Sequence, residues 1–310
     1  MPSGVMITKS SPVVVVPSES VPAPLLTGET VGLSSFDKCV APFPVTMMIA
    51  FDRPIPEPAD TIKRALSRVL GHYRPITGRL TAGPGDGEFC IACTDEGLTF
   101  VGASASCALE DVTTAQLMDL AIRYLGDFCR DTDPLLLVQV TEFSCGGFVV
   151  GVTFNHIIAD GAGMVQFLSS VGEFARGVSP PSVVPVQHWD DRLPGLPASM
   201  VAPQKSTMTH GRKALTRADI IIPFSLINRI KGEFGGTVFE IVAAVLWRGA
   251  ALARSCPRTI PNPLRLSPSR ATYAGTSAPG LATMATALSC SWYRQRAVPW
   301  PAVASVTWWR

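Results

Sequence analysis

The predicted fold depends on one segment of the sequence, Phe154-Asn155-His156-Ile157-Ile158-Ala159-Asp160-Gly161-Ala162-Gly163. The apolar residues 148–154 are typical of a buried strand, and residues 162–176 have the spacing of an amphipathic helix. The segment is therefore the connection between a strand and a helix. Connections of this kind lie at the surface, take fixed positions from a rigid scaffold, and often carry catalytic residues.

This connection holds a histidine, an aspartate and two glycines at a spacing that suits catalysis. Histidine is the side chain whose unperturbed charge change falls between pH 5 and 8, so His156 is the candidate general base. Asp160 either orients the imidazole or braces the loop through an arginine. Gly161 and Gly163 permit a tight turn and a close approach of the backbone. A lone histidine is more often structural than catalytic, but the strand-to-helix context favours catalysis here.

Other histidines and cysteines are weaker candidates. His72 ends a predicted helix, His188 lies in a proline-rich stretch, and His210 lies in a polar loop, so we expect structural or solvated roles. A thiol enzyme that pairs Cys129 or Cys145 with a histidine is an alternative. Neither cysteine stands in a recognisable nucleophile turn, and the sequence therefore disfavours this reading.

Length and composition indicate a globular protein of one large or two ordinary domains. The 310 residues are 47% hydrophobic and 16% charged, which is enough apolar material for a full core and excludes global disorder. The formal net charge of +2 gives no support for a nucleic-acid partner. No apolar run approaches the roughly 18 residues of a membrane helix, so we expect no membrane association.

Cysteine usage and the N-terminus predict a cytoplasmic protein with reduced thiols. The eight cysteines are irregularly spaced, and the N-terminus lacks the basic and apolar regions of a signal peptide. Cys90 and Cys93 form the one close pair, whereas a zinc knuckle needs a second pair at matching spacing. We therefore expect no metal, and no motif indicates a flavin or nucleotide redox cofactor.

The order of predicted elements indicates an α/β or α+β fold with two domains. The predicted strands are 13–16, 45–51, 88–93, 135–143, 148–154 and 219–222, and the predicted helices are 60–73, 115–124, 162–176, 225–233 and 237–253. Six prolines between Gly177 and Pro203 predict an extended crossover linker. The expected organisation is an N-terminal domain over 1–180, a linker over 181–205 and the start of a second domain over 206–253.

Six short blocks between about residue 13 and residue 250 resemble the plant BAHD acyltransferases, which use acyl-CoA donors. Each block is weak alone, but their common order along the chain makes the resemblance specific. The blocks are Leu33–Asp37, Tyr73–Leu80, Asn155–Gly163, Gln166–Leu168 with Glu173–Gly177, Thr237–Glu240, and Ala243–Arg248.

The resemblance implies a two-domain fold of chloramphenicol-acetyltransferase-like topology with a channel between the domains. Acyl-CoA would enter from one face and an alcohol or amine acceptor from the other. His156 would deprotonate the acceptor, without a covalent enzyme intermediate. Asp160 would point away from the substrate, pair with an arginine of the second domain, and support the loop together with Gly161 and Gly163.

The resemblance leaves the substrates open. The family uses acetyl, malonyl, benzoyl and hydroxycinnamoyl donors, and overall similarity favours a hydroxycinnamoyl donor. Asn155 and Thr77 are expected along the substrate channel. Acyl-CoA is expected as a co-substrate without a permanently bound cofactor, and the intact protein is expected to be a monomer.

The C-terminal part departs from the family pattern. Residues 241–310 carry eight arginines and no acid, whereas residues 1–240 hold all 24 acidic residues, and the family's Asp-Phe-Gly-Trp-Gly motif is absent. With a free choice of codons, back-translations of 267–274 and 281–287 yield family-like blocks in a shifted reading frame. We therefore expect a frame shift near 250–257, an incomplete second domain, and an aberrant Arg- and Pro-rich tail over 254–310. A genuine divergent tail is the alternative.

Three functions compete at this point. The first is acyl transfer from acyl-CoA to an alcohol or amine. The second is a catalytically inactive truncated product that at most binds CoA or a partner, because the second domain is incomplete. The third is a condensation domain of peptide synthesis, which shares the His-x-x-x-Asp-Gly chemistry. The plant-like blocks and the absence of carrier-domain sequence argue against the third.

Overall fold

The structure is a computed structural model, and it describes residues 6–18, 28–85, 88–113, 116–185, 196–197, 199, 201, 221–255 and 303–305. The chain divides into two compact units, residues 1–211 and residues 212–310. Most of the predicted linker and tail lies outside the described residues. The predicted domain boundaries and the predicted frame shift therefore stay predictions.

The first unit is built on a mixed sheet and a smaller antiparallel sheet. Its strands are β1 (Ile7–Lys9), β2 (Val13–Val15), β3 (Thr30–Gly32), β4 (Pro44–Phe51), β5 (Arg79–Ala82), β6 (Phe89–Ala92), β7 (Leu98–Ala105), β8 (Leu136–Phe143) and β9 (Phe148–Asn155). The larger sheet has the order β1-β7-β8-β9-β4, and β2 also pairs with β7. Strands β7 and β8 run parallel, and the other pairs of this sheet are antiparallel. The smaller sheet has the order β3-β6-β5.

The β8–β9 hairpin at the centre of the larger sheet confirms the predicted pair of strands. Its register places Leu136 opposite Phe154 and Glu142 opposite Phe148. Every residue of β9 is buried, as expected for a strand with a neighbour on each side and cover on both faces. The turn includes Gly146 at φ 83°, a left-handed conformation that glycine adopts without steric cost.

Two helices, α1 (Pro58–Val69) and α2 (Gly161–Ala175), pack on one face of the larger sheet. The sequence predicted both helices, and the apolar residues of α1 form a buried stripe. The core on this face includes Ile62, Ala65, Leu66 and Val69 of α1, Met164, Phe167, Val171 and Phe174 of α2, and Phe148, Val150, Val152 and Phe154 of β9. Burial of each large side chain contributes about 1.5–3 kcal/mol relative to its exposure, so this cluster fixes α2 on the sheet.

The opposite face of β8 and β9 is partly polar. The hydroxyls of Thr46 and Thr153 lie 2.9 Å apart in a hydrogen bond. The amide of Gln139 donates to the Asp119 carbonyl at 2.8 Å and to the Thr141 hydroxyl at 2.9 Å. Because side chains alternate along a strand, this polar face continues along β9 to Asn155 at its end.

The second unit holds β10 (Ile221–Pro223), α3 (Phe224–Phe234), α4 (Val238–Ser255) and β11 (Val303–Ser305), with β10 antiparallel to β11. A small core of Ile222, Ile227, Ile241 and Val242 packs β10, α3 and α4 against one another. The Thr237 hydroxyl and backbone N–H donate to the Glu240 carboxylate, and the Glu240 N–H donates to the Thr237 hydroxyl. This reciprocal capping box starts α4 where the sequence predicted a helix.

Several predicted elements differ from the structure. Residues 115–124 were predicted as a helix, but the described part forms a short 3-10 helix over Gln116–Leu120. Serine is a preferred N-cap residue, but Ser225 does not cap α3, which starts at Phe224 after the N-cap residue Pro223 with φ −60°. Strand β11 lies in a stretch where no regular structure was expected. None of the helices in the described part of the chain combines the length and the hydrophobicity of a membrane-spanning segment.

Candidate active site

The candidate site lies at the connection from β9 to α2. Asn155 is the last residue of β9, and its backbone N–H donates to the Leu135 carbonyl at 3.0 Å. His156 follows and donates its backbone N–H to the Phe43 carbonyl at 3.0 Å. Leu135 directly precedes β8 and Phe43 directly precedes β4, so the backbone at the histidine is held from both neighbouring strands.

The imidazole of His156 is half-buried beside two phenylalanine rings. Its centroid lies 5.0 Å from the Phe43 ring and 6.3 Å from the Phe154 ring, and both pairs are tilted. Its Nδ1 atom is buried and has no hydrogen-bond partner among the residues that the structure describes. Aromatic contacts at these separations are favourable, so packing rather than an acidic partner orients the ring.

Asp160 caps the helix that follows the histidine. Its Oδ1 accepts the backbone N–H of Gly163 at 2.8 Å, and its own carbonyl accepts the N–H of Met164 at 3.0 Å. An aspartate N-cap stabilises a helix by about 1 kcal/mol relative to alanine, and its charge is favourable beside the positive end of the helix dipole. Of the two roles considered for Asp160, the described contacts favour support of the loop. Its predicted arginine partner stays a prediction.

The two glycines of the motif occupy the first turn of α2. Gly161 is the first helical residue, and Gly163 supplies the N–H that the cap binds. A Cβ atom on Gly163 would lie 3.3 Å from the Cβ of Ala159 and 3.5 Å from Oδ1 of Asp160. Glycine at this position therefore gives the capping carboxylate room to approach the backbone.

Asn155 and Thr77 were predicted along a substrate channel, and both side chains are completely buried in the structure. The Thr77 hydroxyl donates to the Arg74 carbonyl at 2.7 Å and lies 3.2 Å from Oδ1 of Asp95. Asp95 in turn pairs with the Arg74 guanidinium at 3.0 Å. These contacts brace the turn before β5, while the predicted place of both residues along the channel stays a prediction.

The thiols have properties that fit poorly with a catalytic nucleophile. Burial raises the pKa of the Cys129 thiol to about 12, so this thiol is almost wholly protonated near neutrality. Cys145 is exposed in the β8–β9 turn, where its Sγ accepts the Leu109 N–H at 3.4 Å. Among the described residues, no group of three or more His, Cys, Asp or Glu side chains is arranged to hold a metal ion.

Sequence reasoning missed Phe43, which makes both a backbone and a ring contact with His156. Its neighbours Pro42 and Pro44 gave no functional signal. The residue reaches the site because β4 pairs with β9 in a register that places Pro44 opposite Asn155. Only this long-range pairing could have identified Phe43.

The arrangement of sheet, helices and motif loop is that of the chloramphenicol-acetyltransferase-like fold, which the resemblance implied. Vinorine synthase is similar to this chain with a TM-score of 0.61 at 21% identity, over 81% of this chain and 62% of that chain. The F. graminearum protein TRI101 complexed with ethyl coenzyme A is similar with a TM-score of 0.52 at 12% identity, over 73% and 61% of the two chains. At such identities these likenesses show the fold alone.

The chain belongs to the Transferase family, whose sequence pattern matches residues 5–268, and its predicted place among the BAHD acyltransferases is confirmed. Acyl transferase 15 of Oryza sativa subsp. japonica is 43% identical over 268 residues, which cover 79% of this chain and 59% of that protein. Myricetin 3-O-glucosyl 1,2-rhamnoside 6'-O-caffeoyltransferase AT1 of Crocosmia x crocosmiiflora is 33% identical over 271 residues, 80% of this chain and 61% of that protein.

A third relative matches a shorter part of the chain. Spermidine hydroxycinnamoyltransferase 1 of Oryza sativa subsp. japonica is 31% identical over 232 residues, which cover 63% of this chain and 50% of that protein. The chain spans about three fifths of the length of the first two relatives and half of this one.

Proposed function

We propose that this chain is an acyl-CoA-dependent acyltransferase that transfers an acyl group to an alcohol or amine, with His156 as the general base. The observation that carries the proposal is the way the histidine is held. At one end of the loop, Phe43 contacts the backbone and the ring of His156. At the other end, Asp160 caps the N-terminus of α2. A general base needs this kind of fixed position before its basicity is useful.

The proposed reaction needs only proton transfer and displacement. His156 accepts the proton of the acceptor's O–H or N–H while that oxygen or nitrogen attacks the thioester carbonyl carbon. The carbonyl π bond opens to a tetrahedral oxyanion. Collapse of the oxyanion breaks the C–S bond, and the departing CoA thiolate takes the proton from the imidazolium. An ester or amide and free CoA are released, and no covalent enzyme intermediate forms.

The proposed donor is a hydroxycinnamoyl or another aromatic acyl-CoA. The Crocosmia relative is named as a caffeoyltransferase acting on a myricetin glycoside oxygen. The third relative, from Oryza sativa, is named as a hydroxycinnamoyltransferase of spermidine. These names span an alcohol and an amine acceptor, so both acceptor classes belong in the test. Acyl-CoA serves as a co-substrate rather than a resident cofactor, and ethyl coenzyme A in the TRI101 complex supports this role. We propose that the protein acts as a cytoplasmic monomer.

A donor and acceptor panel tests the proposed activity. The purified chain is incubated with caffeoyl-, benzoyl- or acetyl-CoA and with sets of alcohols and amines, and free CoA and acylated product are measured by chromatography. We expect aromatic donors to release CoA with matching product. His156→Ala should lower the rate about 10²–10⁴-fold, the usual contribution of a positioned base. Thr153→Val, which changes a buried hydroxyl pair outside the loop, is the matched control.

Two results would contradict the proposal in different ways. CoA release that is unchanged in His156→Ala would contradict the role of His156 and leave acyl transfer standing. CoA binding without release, for every donor and acceptor, would instead support the alternative of a non-catalytic CoA binder.

A further inference from the structure

Asn155 is a buried polar residue that the proposed reaction does not use. Its side chain is completely buried, and its Oδ1 accepts the backbone N–H of Ile157 at 3.1 Å. Its Nδ2 has no hydrogen-bond partner among the described residues. A buried amide donor without a partner is destabilising, so a contribution to stability alone does not account for asparagine at this position.

The hydrogen bond between Asn155 and Ile157 closes an Asx-turn around His156. The orientation of the side-chain amide follows from this bond, because a backbone N–H requires the carbonyl oxygen and not the NH₂ group as its acceptor. The Ile158 N–H also donates to the Asn155 backbone carbonyl at 3.1 Å. One residue therefore holds the two backbone N–H groups that follow the histidine.

We propose that Asn155 is the positioning residue for His156, and that its side-chain carbonyl sets the direction in which the imidazole projects from the backbone at the end of β9. This inference rests on the proposed function, because it assigns a role within the same site. Direct contact between the two side chains is not required. His156 shares the helix-covered side of β9 with Phe154, whereas Asn155 shares the other side with Thr153, so Asn155 acts through the backbone.

With this role for Asn155, a polar side chain supports the motif loop at each of its two ends. At its end, Oδ1 of Asp160 accepts the Gly163 N–H at 2.8 Å. At its start, Oδ1 of Asn155 accepts the Ile157 N–H at 3.1 Å. In each case a short polar side chain satisfies a backbone donor that no strand or helix partner binds. The histidine then retains only the rotation of its own side chain.

Three variants separate positioning from general stability. Asn155→Leu keeps the side-chain size and removes the acceptor, and Asn155→Ser keeps a shorter acceptor. Thr153→Val removes a buried hydrogen bond to Thr46 on the same side of β9 and leaves the turn intact. Circular dichroism and thermal unfolding establish that each variant is folded.

Two readouts report on the loop without any substrate. The first is the rate at which diethyl pyrocarbonate modifies His156, followed by peptide mass spectrometry. His72, whose ring packs 5.6 Å from the Phe174 ring in the same unit, is the internal standard. The second is amide hydrogen exchange at Ile157. Where the chain transfers acyl groups, kcat and KM for acyl-CoA are measured as well.

We expect Asn155→Leu to raise the modification rate of His156 relative to His72 by about twofold to tenfold, the factor that one net hydrogen bond supplies. Ile157 should exchange faster by a similar factor, and kcat should fall while KM for acyl-CoA stays unchanged. Asn155→Ser should lie between wild type and Asn155→Leu, and Thr153→Val should match wild type. Should the leucine variant not fold, the comparison of Asn155→Ser with Thr153→Val decides the question.

A wild-type rate of His156 modification in folded Asn155→Leu, with unchanged Ile157 exchange, would overturn the positioning role. This outcome is distinct from failure of the proposed function. A chain that transfers no acyl group still tests the role of Asn155 through modification and exchange. Conversely, acyl transfer with unchanged kcat in Asn155→Leu would remove that role and leave His156 as the base.

Discussion

The backbone N–H of His156 donates to the carbonyl of Phe43 at 3.0 Å, and the rings of the same two residues lie 5.0 Å apart. The pair joins the end of β9 to the residue before β4. Within the described residues, the imidazole is therefore held by an aromatic neighbour from the segment that leads into β4. Asp160 acts on the loop instead, through the cap of α2.

Phe43→Leu should weaken the proposed acyl transfer without unfolding the first unit. Leucine keeps the backbone hydrogen bond and most of the apolar volume but loses the ring contact, which contributes about 0.5–1.5 kcal/mol in aromatic pairs. We expect kcat to fall about twofold to tenfold. Phe51→Leu is the control, because Phe51 stacks on Phe148 at the other end of the same strand pair. Equal kcat values for both variants would show that the Phe43 ring has no orienting role.

Gly151→Ala should destabilise the first unit, whereas Gly102→Ala should not. A Cβ atom on Gly151 would lie 2.1 Å from the Leu120 carbonyl oxygen, so the chain must shift to admit it. At Gly102 the nearest atom would be the Ala59 Cβ at 3.6 Å, an ordinary contact. Urea unfolding should show a loss of about 1–3 kcal/mol for Gly151→Ala and a change within about 0.5 kcal/mol for Gly102→Ala. Similar losses in both would refute the packing around Leu120.

Asp160→Ala should lower stability through loss of the helix cap. We expect a loss of about 1 kcal/mol in the free energy of unfolding, and only a small change for Asp160→Asn, because an asparagine oxygen caps a helix about as well. Urea unfolding of the two variants measures the difference. If the asparagine variant loses as much stability as the alanine variant, the charge of Asp160 matters more than its bond to Gly163.

Cys145 should react with iodoacetamide long before Cys129. Burial raises the pKa of Cys129 to about 12, so very little of this thiol is a thiolate at pH 8.5, and the side chain is buried. Its labelling rate should rise about tenfold per pH unit between pH 7.5 and 9.5, because its pKa lies above that range. Peptide mass spectrometry distinguishes the two cysteines. Rapid labelling of Cys129 at pH 8.5 would contradict its burial and revive the thiol-enzyme alternative.

Elements with strong local periodicity were predicted from the sequence. The β8–β9 hairpin, the buried stripe of α1 and the connection from β9 to α2 depend on patterns within a few residues of one another. The predicted helix start at Thr237, where the structure has a capping box with Glu240, is likewise a local pattern. The pattern from β9 to α2 places His156 and Asp160 on a loop between a strand and a helix.

Features that depend on distant parts of the chain were missed. Strand β7 was missed for a local reason as well, because it contains Gly102, Ala103 and Ala105, whose small side chains weaken the alternation by which a strand is predicted. Phe43 reaches His156 only through the pairing of β4 with β9. The N-cap of α3 is Pro223 and not Ser225, because the course of the chain from β10 overrides the residue preference at helix caps.

A comparison of His156→Gln with His72→Gln, in CoA release from caffeoyl-CoA and an acceptor, tests most directly whether His156 is the general base. Glutamine keeps a polar side chain of similar size but cannot accept and return a proton, and His72 is the matched histidine beside an aromatic ring. The proposed role of His156 predicts a loss of about 10²–10⁴-fold for His156→Gln and a rate close to wild type for His72→Gln. A wild-type rate in His156→Gln, or equal losses in both variants, would contradict it.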